Sequence, residues 1–165
     1  MKKTLVEVCC GSADDVIRSY QAGADRVELN SNLFLGGLTP SLGELIVASR
    51  QTDIEIIAML RPREGGFCYT EMEFATIIED ARLLLANGAD GLVFGFLHSD
   101  GTIDVERTKT RIALANGRPC VFHRAFDVVP DWKTALDTLI ELGIRRVLTS
   151  GQESNVFFAT DTVRD

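Results

Sequence analysis

Residues 21–29 read QAGADRVEL, and the same construction returns as ANGADGLVF over residues 86–94 and as ELGIRRVLT over residues 141–149. Each copy puts a glycine (Gly23, Gly88, Gly143) where a helix needs a left-handed residue to end on, and then enters a short apolar run. A helix-to-strand joint built three times predicts a train of βα units. Working outward, runs of strand length begin at Leu5, Arg26, Ile54, Gly91, Cys120 and Arg146, spaced as one βα unit each. Six strands are expected.

Helix signals fill the intervals. Ser12 can cap a helix with Asp15 at its third position, Thr39-Pro40 reads as an N-cap and first residue, and Thr70 with Glu73 forms a capping box. Asp104 and Asp131 open two further amphipathic stretches, the first reaching Ala115. Alternating βα units make a parallel sheet, either open and doubly wound or closed as a (β/α)8 barrel. After the first strand the chain reads Cys10-Gly11-Ser12, without the glycine pattern of a dinucleotide fold. A barrel also gathers polar side chains at the carboxyl ends of its strands, and polar residues stand at those positions here: Glu7 and Cys9, Glu28 and Asn30, Arg61 and Arg63, His123, Arg124 and Asp127, Thr149 and Ser150. The expected fold is α/β, a TIM (β/α)8-type barrel left incomplete at about six parallel units. Residues 1–165 are expected to form one domain, with 153–165 an atypical tail.

The composition, 165 residues with 45% hydrophobic and 25% charged, is that of an ordinary globular protein. A net charge of -7 without a Lys/Arg cluster argues against nucleic acid as a partner. No apolar run has the length of a signal peptide or a membrane span, so a cytoplasmic protein with no membrane partner is expected. The four cysteines, Cys9, Cys10, Cys68 and Cys120, lack the spacing of a zinc module and read as free thiols. Adjacent in a strand, Cys9 and Cys10 point to opposite faces and do not clamp one metal together.

The segments VEVCCGSADD, QAGADRVELN, GGLTPSLG, RPREGGFCY, ADGLVFGFLHSDGTID, FHRAFD and ELGIRRVLTSGQ, in that order, resemble the CutC family of cytoplasmic TIM-barrel proteins associated with copper homeostasis. The resemblance runs from residue 4 to about residue 153. It implies copper as Cu(I), or a small molecule, as partner, and no secure catalytic activity. It implies Cys9 as a thiolate donor, with His123 or Met59 as soft or borderline company. Many family members carry a cysteine where this chain has Asn30, so one expected thiolate is replaced. The family's chains also continue further, which reads as a C-terminal truncation here. The first and sixth strands are then expected as open edges, suited to homo-oligomer formation.

The residues also allow a second function. On a barrel enzyme with lyase- or isomerase-like acid–base chemistry, Glu7, Glu28 and His123 are the catalytic candidates, and Arg61, Arg63, Arg124 and Asp127 bind a small anionic metabolite. Glu7 and Glu28 could equally form a structural ion-pair layer with Arg61. In FHRAFD, alternation sets His123 on the face of Val121 and Ala125 and Arg124 on the other. The expectation is a histidine at an open rim.

Overall fold

The computed structural model describes residues 4–159, so residues 160–165 of the expected tail lie outside the described residues. Along the chain come β1 (Glu7–Cys10), α1 (Ala13–Gln21), β2 (Arg26–Leu29), α2 (Leu42–Gln51), β3 (Glu55–Met59), α3 (Glu71–Ala86), β4 (Gly91–Phe94), α4 (Val105–Ala115), β5 (Cys120–Phe122), α5 (Trp132–Glu141) and β6 (Arg146–Val147). The strand order is β1-β2-β3-β4-β5-β6. The strand pairings β1 to β2, β2 to β3, β3 to β4 and β5 to β6 are all parallel. Parallel strands taken in chain order are the signature of the (β/α) barrel, here with six units of eight.

Two compact units make up the chain: Met1–Glu64 with Glu71–Val93, and Gly65–Thr70 with Phe94–Asp165. In the first unit, Val27 and Leu29 of β2 and residues 56–59 of β3 are buried, as are Val16 of α1, Leu45 and Ala48 of α2 and Ile77 and Ala81 of α3. Helices cover a parallel sheet, which is why EIIAM reads as a continuous apolar run rather than an alternating one.

The repeated joint has a physical basis beyond its glycine. Gly23, Gly88 and Gly143 stand at φ 87°, 112° and 81°, where a side chain would be strained. In the two copies that read Gly-Ala-Asp, the aspartate then clips the neighbouring strand twice. The Val6 amide donates to Asp25 Oδ2 at 2.9 Å while the Asp25 amide donates to the Val6 carbonyl at 3.0 Å. Ile56 and Asp90 repeat the exchange, each bond at 2.9 Å. The third joint has Arg145 in place of that aspartate.

In the second unit, the His123 amide donates to the Phe94 carbonyl at 2.9 Å and the Leu148 amide to the Phe122 carbonyl at 2.8 Å. Phe94 stacks on Phe96 with centroids 5.5 Å apart, and Tyr69 meets Phe96 edge-on at 6.0 Å. β6 covers only Arg146–Val147, because Thr149 and Ser150 turn their hydrogen bonds to Asp127.

The caps expected at Ser12, Asp104 and Asp131 are in place, each accepting an amide of the first helical turn. The cap of α2 is Ser41 rather than Thr39, with the Glu44 amide donating to its hydroxyl at 3.2 Å. Thr39 is held elsewhere: its Oγ1 accepts from the Arg61 amide at 3.0 Å. Among the described residues no helix is long and apolar enough to cross a membrane.

Candidate functional site

In the first unit, β1 and β2 run in register with Cys9 opposite Glu28. The Cys9 thiol donates to Glu28 Oε1 at 3.7 Å, and Asn30 Nδ2 donates to the same oxygen at 3.0 Å and to the Glu28 carbonyl at 3.1 Å. Glu28 is 3% exposed and Asn30 1%. Burial pushes the Glu28 carboxyl above its ordinary range; the bonds from Asn30 and Cys9 pull it down and the nearby Glu7 adds to the rise.

Cys9 keeps accessible surface, yet enough protein surrounds its sulfur for desolvation to be the leading reason its pKa is pushed up to about 12, with the Glu28 charge next. At neutral pH the residue is a thiol. Among the described residues the buried Asn30 Oδ1 has no hydrogen-bond partner, and it lies where a side chain on Gly37 would collide with it. Met59, buried in β3, brings its methyl group to the same glycine.

The ion-pair layer expected from Glu7, Glu28 and Arg61 is differently wired. Glu7 pairs with Arg26, its neighbour across the β1–β2 register, and Arg26 also reaches Glu55 at 4.0 Å. Arg61, 7% exposed, donates through Nη1 to the Leu35 and Gly37 carbonyls at 2.8 and 3.1 Å, and so pins the loop that carries Gly36 and Gly37. Arg63 makes a two-point pair with Glu73 of α3, at 2.5 and 3.2 Å. Cys10 is buried with its sulfur 3.5 Å from the Ser19 hydroxyl.

In the second unit, β5 ends at Phe122, and His123 caps the short 3-10 turn Arg124–Val128. The ring does not sit at an open rim. It is 2% exposed, tilted against Phe67 at 4.8 Å, and so close to Gly95 that a Cβ there would lie 2.5 Å from the ring. Nδ1 accepts from the Ala125 amide at 3.1 Å, which leaves Nε2 as the nitrogen that carries the proton or meets a ligand.

Arg124 and Asp127 are brought together at 2.7 Å. Asp127 also accepts from the Thr149 hydroxyl, the Ser150 amide and hydroxyl, and the Gln152 amide. Burial alone would raise this carboxyl, but the Thr149 and Arg124 bonds and the two amides outweigh it and hold it below the ordinary range.

One residue carried no sequence signal. Arg111, on the inward side of α4, is 0% exposed, lies over the Phe94 ring at 5.7 Å, and among the described residues its Nε and both Nη atoms have no hydrogen-bond partner. Desolvation lowers its pKa to about 10, against a small opposing effect of Cys120. Only its place on the buried stripe of α4, between Thr108 and Ala115, could have pointed to it.

Among the described residues no group of three or more His, Cys, Asp and Glu side chains is arranged to hold a metal ion. Of the two expected metal donors, Cys9 belongs to the first unit and His123 to the second.

The profile of the CutC family matches residues 4–165. A CutC family protein of Treponema denticola is 55% identical over 163 residues, 99% of this chain and 66% of its own. The human copper homeostasis protein cutC homolog is 46% identical over 92% of this chain and 55% of its own length, so the chain spans little more than half of that relative. The crystal structure of the CutC of Streptococcus agalactiae superposes with a TM-score of 0.91 at 34% identity, over 98% of this chain and 80% of that one. A phosphonopyruvate hydrolase, at 13% identity and a TM-score of 0.67, shares the fold alone.

Proposed function

The chain belongs to the CutC family, and from that premise we propose that it serves copper homeostasis in the cytoplasm by taking up Cu(I) on Cys9. The observation that carries this reading is the Cys9 thiol beside the buried Glu28 carboxyl, 3.7 Å away on the neighbouring strand. A thiolate is the soft donor that Cu(I) prefers. Here burial, Glu28 and Glu7 all penalise a bare thiolate. A bound monovalent cation restores the neutrality that the proton gave, and Glu28 Oε1 is the nearest acceptor for the departing proton. With Asn30 in the neighbouring position, the described chain offers Cu(I) one thiolate at this place, and copper is cargo rather than a structural ion.

The test is competition with a Cu(I) chelator under reducing conditions. Cys9→Ser should weaken binding far more than Cys68→Ser, and Asn30→Cys should tighten it. Affinity should climb about tenfold per pH unit below the thiol's value of about 12, because one proton is displaced. Equal affinities for the two cysteine variants remove Cys9 from the site.

One observation favours a second reading, acid–base chemistry on a small anionic metabolite: Glu28 is a buried carboxyl with a raised pKa beside the unbonded Asn30 Oδ1. Glu28 would then be the acid or base, with Glu7 as its charged neighbour. Calorimetric titration of small carboxylates and phosphate esters, compared with Glu28→Gln, separates this reading from the first.

A further inference from the structure

Two Asn-Gly dipeptides occur in the chain, Asn87-Gly88 and Asn116-Gly117, each just past the end of a helix. Because glycine has no side chain to shield its amide, this dipeptide is the one in which the following nitrogen most easily reaches the asparagine side chain. The structure treats the two sites differently. Asn87, half-buried after α3, donates its side-chain amide to the Leu83 carbonyl at 2.8 Å, which anchors the group that would have to move. Asn116, the C-cap of α4, is exposed and left-handed at φ 49°, ψ 52°, and Gly117 and Arg118 beside it are exposed as well. Its backbone amide donates to the Ala113 carbonyl, and among the described residues no hydrogen bond holds its side chain.

We propose that Asn116-Gly117 is a site of spontaneous deamidation, from which Asn87-Gly88 is protected by its side-chain bond. The Gly117 nitrogen, losing its proton to water or base, attacks Cγ of Asn116 and expels the side-chain nitrogen as ammonia, closing a five-membered succinimide. Water then opens the ring at either carbonyl, giving aspartate or isoaspartate. One neutral amide becomes one carboxylate. The new charge lies at the carboxyl end of α4, among outward-pointing carbonyls, so the modified chain is slightly less stable as well as more acidic. In the isoaspartyl product the backbone gains a methylene, and its free carboxylate is the acceptor for a methyl-transfer repair reaction.

The experiment ages the full chain at mildly alkaline pH and follows it by isoelectric focusing, by peptide mapping, and by methyl transfer from S-adenosylmethionine with an isoaspartyl methyltransferase. The expected result is a more acidic form whose modified peptide contains Asn116. Because its side-chain bond must break first, the Asn87 site should react more slowly by roughly five- to tenfold. Asn116→Gly keeps the left-handed backbone without strain and should leave only the slow acidic form that arises at Asn87. Modification of Asn87 at an equal or faster rate overturns the proposal. So does an acidic form that accumulates in Asn116→Gly as fast as in the unaltered chain, or an Asn116 peptide that stays unmodified while the unfolded chain is modified there.

Discussion

Glu28 in β2 and Asp127 in the turn after β5 are both acidic side chains placed near strand ends, and their surroundings drive them in opposite directions. Asp127 collects the Arg124 guanidinium, two hydroxyls and two backbone amides, and its pKa falls although it is partly buried. Glu28 collects one amide group and a weak thiol donor, has Glu7 for a charged neighbour, and its pKa rises. Burial pushes both the same way; the number of donors decides the outcome. Asp127 is a knot that ties the loop 149–152 to the turn 124–128, and its donors leave little of the carboxylate for a ligand. Glu28 keeps a proton-accepting group in reserve beside a thiol.

The largest effect should come from untying the knot. Asp127→Asn removes the anion that several donors share and should cost about 2 to 3 kcal/mol, whereas Glu28→Gln replaces a penalised carboxyl by a neutral isostere and should change stability by less than about 1 kcal/mol. Denaturant midpoints of the two variants check this, and equal losses would break the contrast.

Arg111 extends the comparison to a charge whose guanidinium has no hydrogen-bond partner among the described residues. Replacing a buried charge by an apolar side chain of similar length is often neutral or stabilising, so Arg111→Met should hold or raise stability, by up to about 2 kcal/mol. A fall in the melting temperature would mean that the contact with Phe94 outweighs the desolvation of the guanidinium.

The smallest effect is in the pH profile, where the two carboxyls should have opposite signs. Asp127, with a folded pKa below its ordinary 3.8, contributes stability that is present above that value and lost as pH falls through the folded pKa. Glu28, raised above its ordinary 4.5, is unpenalised below that value and costs stability as pH rises through its folded pKa. Denaturation across acidic and neutral pH should therefore show the acid-side loss flattened in Asp127→Asn and the decline above pH 4.5 flattened in Glu28→Gln. Identical profiles for the two variants would remove the distinction.

Much of the fold was legible because local chemistry enforces it. A glycine after each of three helices, an apolar run after each glycine, and the caps Ser12, Asp104 and Asp131 are choices a chain makes within a few residues. The errors were small and came from competition between neighbours: Ser41 capped α2 because Thr39 was taken by the Arg61 amide. The site was less legible. Arg61 was a reasonable anion clamp until its guanidinium was seen to hold the Leu35 and Gly37 carbonyls, and Glu7 chose Arg26 because parallel register puts that residue opposite it.

By itself the sequence determined the βα succession, the parallel order of six strands and the family, since periodicity, caps and joints act over short stretches and repeat. Which polar residue is buried, and what it faces once there, was decided only by tertiary structure. His123 and Asp127 lie four positions apart in FHRAFD, yet one packs beneath Phe67 against Gly95 and the other gathers donors from residues 149–152. Burial, desolvation and the count of donors are set by residues distant in the chain, and they set the direction in which Glu28, Cys9, Arg111 and Asp127 depart from their ordinary pKa values.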